Sequence, residues 1–99
     1  MPVLLTDHAR LRLHQRTRTS ESELLGLIAA GRTVKLSGNQ ERRYELFYDK
    51  HLRSCFCCAI AADTNADVVV SVWPTEVYMY KFSKKIHDRV VRKAMRYNS

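Results

Sequence analysis

Two near-continuous apolar runs, residues 54–62 and 68–73, flank the turn-rich stretch Asp63-Thr64-Asn65-Ala66-Asp67 and constrain this chain more than any other feature. Runs this short, bounded by turn residues, read as strands covered on both faces, here the two most buried strands of an antiparallel sheet. Pro74 closes the second run, because proline cannot donate to a ladder. Upstream, residues 33–36 and 43–49 flank a Ser37-Gly38-Asn39 turn signal and predict two more strands. In the latter, Tyr44, Leu46 and Tyr48 alternate with Arg43, Glu45, Phe47 and Asp49, a pattern expected of a strand covered on one side and partly exposed on the other. A further short strand is expected over residues 76–82, where Tyr78, Tyr80 and Phe82 alternate with Val77 and Met79.

Helical spacing marks three other segments. His8, Arg12 and Arg16 recur at every fourth position of residues 6–18, so in a helix they rise as one stripe with steps of about 40° around the axis. Ala9, Leu11 and Leu13 flank that stripe, which therefore borders the expected buried face, while Arg10 and His14 fall opposite. Ser20 and Glu23 have the spacing of a capping box and start a second helix over residues 21–30, with Leu24, Leu25, Leu27 and Ile28 as its apolar side and Gly31 as its stop. Residues 83–97 place Ile86, Val90, Ala94 and Tyr97 at helical spacing, with Val91 and Met95 beside them, which predicts an amphipathic helix with a basic outer face. With 99 residues the expectation is one α+β domain: two N-terminal helices packed on an antiparallel sheet of about four strands, then a basic C-terminal helix.

The formal net charge of +7 is unevenly distributed. Ten basic residues nearly balance nine acidic ones up to Tyr80, whereas Lys81, Lys84, Lys85, Arg89, Arg92, Lys93 and Arg96 face only Asp88 in the remainder. A field so concentrated attracts polyanions: nucleic acid, an acidic protein or an anionic surface. Met1 to Leu5 is too short an apolar stretch for a signal peptide and no segment has the length of a membrane span, so no membrane role is expected. The cysteines Cys55, Cys57 and Cys58 crowd into four positions, which fits reduced thiols in a cytoplasmic protein rather than a disulfide framework. With His51 nearby they invite a zinc reading. A strand, however, points Cys55 and Cys57 one way and Cys58 the other, so no metal and no other cofactor is expected, and the three read as buried small hydrophobes. There is no Gly-rich phosphate loop and no carboxylate cluster suited to magnesium.

The string Thr6-Asp7-His8-Ala9-Arg10-Leu11-Arg12, continued to Gln15-Arg16 and the Ser20-Glu21-Ser22-Glu23-Leu24 helix start, resembles a family of small prokaryotic and phage domains. These open with His-Ala and arginines at four-residue steps. They then carry a glycine after the second helix, a strand with a tyrosine, an apolar strand and a final strand reading roughly Val-Thr-Val-Tyr. The corresponding positions are Gly31, Tyr44, residues 55–62 and Val70-Ser71-Val72-Trp73, with serine for threonine and tryptophan for tyrosine; the resemblance spans residues 5–74. The family is similar in layout to the ribonuclease and toxin fold shared by barnase and RelE-type toxins, which implies a metal-independent RNA endonuclease, a toxin paired with an acidic antitoxin.

Such chemistry needs a proton shuttle and cations around the phosphorane. Histidine suits the first and arginine the second. On that reading His8 is the acid/base, Arg12 and Arg16 hold the phosphate, and Tyr44 and Ser71 orient it from the sheet; a lone histidine is more often structural than catalytic, and residues such as Tyr44 and Ser71 more often pack or hydrogen-bond. Tyr78, Tyr80 and Lys81 are candidates for stacking on bases and holding phosphate, and Lys84, Lys85, Arg89, Arg92, Lys93 and Arg96 for tracking a backbone. The alternative is a non-catalytic phage or mobile-element protein that uses the same surfaces to engage nucleic acid or an acidic host protein.

Overall fold

The computed structural model describes residues 2–38, 41–62, 65–75 and 83–98. The expected strand over residues 76–82, with Tyr78, Tyr80 and Lys81, lies outside the described residues, as do parts of the two expected turns.

The chain runs β1 (Val3–Leu5), α1 (Asp7–Arg16), α2 (Glu21–Ala29), β2 (Val34–Gly38), β3 (Arg42–Asp49), β4 (Ser54–Ala62), β5 (Asp67–Pro74) and α3 (Lys84–Tyr97). Local chemistry sets the helix ends. Thr6, Ser20 and Ser83 cap the three helices, accepting from the N–H groups of Ala9, Glu23 and Ile86 at 3.0, 3.1 and 3.3 Å. Gly31, at φ +70°, turns the chain out of α2 while Arg32 N–H bonds Leu27 C=O at 2.8 Å, the left-handed exit its position predicts.

The strands form one sheet in the order β1-β5-β4-β3-β2. The four expected strands pair antiparallel in sequence order, but Val3, Leu4 and Leu5 add a fifth, parallel to Asp67, Val68 and Val69, so the sheet is mixed rather than antiparallel throughout. Three residues are too few to show a period, and the partner strand lies at the far end of the sequence.

Helices cover both faces. On one, Ala9 and Leu13 of α1 and Leu24, Leu27 and Ile28 of α2 pack on Phe47, Phe56, Cys58, Ile60, Val69 and Val72, with Phe47 and Phe56 stacked at 6.0 Å. On the other, α3 brings Ala94, Val90, Val91 and Tyr97 onto Val34, Leu46, Tyr48 and Cys55. Strand β3 is therefore covered on both sides, against the sequence expectation. Glu45 and Asp49 lie on the face of α1 and α2 as buried acids, each with hydrogen-bond partners. Leu11, expected at the buried face, is about half exposed.

Strand β4 is buried continuously from Cys55 to Ile60, whereas β5 buries only Val69 and Val72 among its eight residues. A bulge explains part of this difference from expectation: Ser71 pairs with Ala59 and Val69 with Ile60, which leaves Val70 without a partner. The same register sets Cys58 on the face of α1 and α2 with Phe47 and Val72, and Cys55 and Cys57 on the face of α3. Burial pushes the Cys57 thiol up to about 12 and raises Cys58 as well, so both are inert protonated groups.

Candidate nucleic-acid interface

The α1 stripe forms on the helix, and its members do different things. His8 is exposed and makes no hydrogen bond or ion pair among the described residues. Arg12 donates to Gln15 Oε1 at 2.9 Å on its own helix. Arg16 donates from Nη1 to the carbonyl of Val72 at 2.6 Å. That contact follows from topology. β1 covers β5 only as far as Val69, and beyond it the carbonyls of this edge need donors; Thr6 Oγ1 approaches Val70 C=O at 3.5 Å and Arg16 takes Val72 C=O. Arg10, on the other flank of α1, bonds Glu21 Oε2 and Oε1 at 2.8 and 3.1 Å and Asp7 Oδ1 at 3.0 Å. The Glu21 hydrogen bond, foremost among these contacts, holds the guanidinium above its usual value and Glu21 below its own.

Tyr44 and Ser71 lie in one row of the sheet with Ala59 between them. This row is on the face of Leu46 and α3, not the face that α1 and α2 cover. The Tyr44 ring meets Trp73 edge-on at 6.1 Å. Tyr44, Ser71 and Trp73 thus share a face, and the hydrogen bonds bring the α1 stripe to them only at the β5 edge, where Arg16 holds the carbonyl between Ser71 and Trp73.

Helix α3 differs. Lys84, Lys85, Arg89, Arg92, Lys93 and Arg96 are all exposed. Among the described residues none of the six has a carboxylate within ion-pair distance, and Asp88 lies 3.7 Å from His87. Lys93 sits 5.9 Å from the Tyr97 ring centroid, a loose cation–π contact. With the buried side centred on Val90, Ala94 and Tyr97, the helical wheel puts Arg92, Lys85 and Arg96 on the opposite ridge, spanning about 16 Å, with Asp88 and Met95 along one side of it and Arg89 along the other. Lys84 and Lys93 stand on either flank.

Three cations that sequence reasoning did not single out join this helix. Arg53, at φ 54° in the turn after β3, lines a cleft of about 170 Å³ with His87 and Val91 of α3. Lys50 and Arg32 line another of about 230 Å³, together with Glu23 and Leu27 of α2, that reaches Asn98, just past the end of α3. Nothing in the sequence marks them, because Arg53 and Lys50 of the β3–β4 turn and Arg32 of the α2–β2 link come near α3 only in the folded chain; Asn98 Nδ2 ties the helix end to Tyr48 C=O at 2.7 Å.

Two polar networks, one partly and one fully buried, lie on the face that α1 and α2 cover. Arg43 forks onto Asp67 at 2.8 and 3.1 Å and onto Glu45 at 2.5 Å, while Thr33 Oγ1 donates to Glu45. These bonds, that to Asp67 foremost, raise Arg43 despite its partial burial, and Arg43 in turn lowers Asp67. Asp49, fully buried, accepts from the N–H groups of Arg18, His51 and Leu52 at 2.7, 2.8 and 2.9 Å. Burial alone would push its carboxyl up, but the backbone donors prevail and hold it below the usual range. These groups hold the fold together and face no cleft described above. Among the described residues no cluster of three His, Cys, Asp or Glu is placed to hold a metal, and no helix is long and apolar enough to cross a membrane.

Comparison of the chain with protein-family models, with curated proteins and with solved structures finds no match in any of the three. The α+β fold and the disposition of its charges are therefore the ground on which a function is argued.

Proposed function

We propose that this protein is a nucleic-acid-binding domain whose primary contact is the outer face of α3. The observation that carries the reading is the contrast in how cations are used: α3 leaves six exposed without carboxylate partners among the described residues, while Arg10, Arg12 and Arg16 of α1 already hold protein groups. Unpaired cations in a row give long-range attraction to a phosphate backbone and release its condensed counterions on contact. Side chains already bonded to protein must give up those bonds before they take a phosphate.

A second reading keeps the ribonuclease suggested by the family resemblance. It draws on the placement of Tyr44 and Ser71 in one row and of Arg16 at the adjoining edge. It requires His8, which no neighbour orients among the described residues, to be positioned by the RNA itself. In either case the protein is a candidate mobile-element or toxin component, with an acidic partner protein as the natural competitor for the basic face.

The test is retention and cleavage of labelled RNA and DNA oligonucleotides in EDTA, scored on the same samples for the native protein and its His8→Ala variant. Retention without cleavage supports the binding domain. Cleavage lost in His8→Ala, with retention kept, moves the assignment to the nuclease. No retention of any oligonucleotide at low salt overturns the binding reading.

A further inference from the structure

We infer that α3 is a groove-binding element and that its ligand is B-form duplex DNA; this rests on the nucleic-acid reading above and names its ligand. The shape argument comes first. A single helix is about 10–12 Å across with its side chains, and the B-DNA major groove is about 12 Å wide, so a helix anchored along one side presents its free half to that groove. Val90, Ala94 and Tyr97 hold α3 on the sheet, and the described half facing away from them is exposed.

The charge pattern has the same geometry. Arg92 and Arg96 of the ridge and Arg89 alongside it, with Asp88 beside Arg92 as the one acid of the helix, point where base edges would lie, and a guanidinium donates two parallel hydrogen bonds to guanine O6 and N7. Lys84 and Lys93, on opposite flanks of the ridge, face the two phosphate walls, whose contacts fix register. Arg53 adds a cation beside the first turns of α3, along the flank that carries Lys84.

Other nucleic acids fit this surface less well. An A-form RNA duplex has a major groove too deep and narrow for side chains to read. Single strands are held in grooves with aromatic rings that stack on the bases. Among the described residues the one aromatic of α3, Tyr97, is partly buried against the cluster of Leu46 and Tyr48, and the ridge is convex.

The experiment compares, by fluorescence anisotropy at fixed ionic strength, a guanine-containing DNA duplex, the RNA duplex of the same sequence and one RNA strand alone. The expected result is binding to the DNA duplex at least about tenfold tighter than to either RNA, with log K falling against log salt at a slope of about −4 to −5 for some five phosphates. R89A/R92A should weaken the DNA complex about tenfold or more, and 7-deazaguanine in the duplex should weaken it severalfold, since N7 is one of the two acceptors. Circular dichroism checks that α3 persists, and Lys35→Ala, an exposed cation on the other face of the sheet, should leave binding unchanged. Tighter binding to either RNA overturns the duplex-DNA inference and leaves the nucleic-acid reading standing. A DNA complex insensitive to 7-deazaguanine overturns the groove docking. Absence of binding to all three probes overturns both.

Discussion

Helices α1 and α3 are both rich in cations, yet the fold uses them in opposite ways. On α1, Arg10 bridges Asp7 and Glu21, Arg12 leans on Gln15, and Arg16 serves a carbonyl at a sheet edge that β1 leaves uncovered. On α3 the charged side chains face outward and the packing is done by Val90, Val91, Ala94 and Tyr97. The difference lies in the surroundings rather than in the helices. α1 has a carboxylate on the neighbouring helix and an unpaired backbone acceptor within reach, whereas the clefts beside α3 are lined by Arg53, Lys50 and Arg32 with one acid, Glu23, and among the described residues no carboxylate comes within ion-pair distance of its lysines and arginines. A basic stripe in a sequence thus acquires a role only when its neighbours are known.

The sharpest way to break this contrast is to remove the charge from one helix at a time. Replacing Lys85, Arg89, Arg92 and Arg96 together by glutamine should weaken nucleic-acid binding about a hundredfold, roughly 2.7 kcal/mol, in anisotropy titrations. The same variant should keep the melting temperature of the native protein or raise it, because like charges no longer repel along the ridge. A large loss of stability would mean that the ridge, like α1, is part of the scaffold.

Next in size is Asp49, which ties the start of the α1–α2 link to the β3–β4 turn. Asp49→Ala should destabilise the fold by about 2 kcal/mol in urea unfolding, since it strands three backbone donors. The folded pKa of Asp49 and of Asp67 lies below the unfolded value. Their contribution is therefore complete above about pH 4 and fades as acid takes the pH down through the folded values. The native protein should lose stability over that range, and Asp49→Asn should lose less.

Much of the scaffold was legible. The cap at Ser20, the Gly31 exit and four of five strands follow from short-range patterns that the tertiary structure left intact. β1 was not legible because three residues carry no period, and the two-sided cover of β3 was hidden because Glu45 and Asp49 look like solvent-facing residues until Arg43, Thr33 and three backbone N–H groups meet them. For the site, the exposed row on α3 could be read from the helical period, and the sharing of one face by Tyr44 and Ser71 emerged from register. The structural employment of Arg16 could not be foreseen, since it depends on where β1 stops.

Arg16→Ala offers a direct measure of that employment. Loss of a charged donor to the Val72 carbonyl should lower stability by about 1 kcal/mol, with Arg16→Lys recovering part of it. Nucleic-acid affinity should stay close to native if the bond to β5 keeps this side chain from the ligand. A fall in affinity as large as that from an α3 arginine would mean that α1 joins the interface.

The smallest effect belongs to Arg10. Its bonds to Glu21 and Asp7 are short, but the groups stand at the surface, where water screens the pair and ordering two long side chains offsets much of the attraction. Arg10→Ala should give a slight drop in melting temperature at low ionic strength that vanishes near 1 M salt, where the screening length falls to about 3 Å. A drop that survives high salt would show that the arginine holds α1 against α2 through its aliphatic stem rather than its charge, and would place the cohesion of the two N-terminal helices in packing.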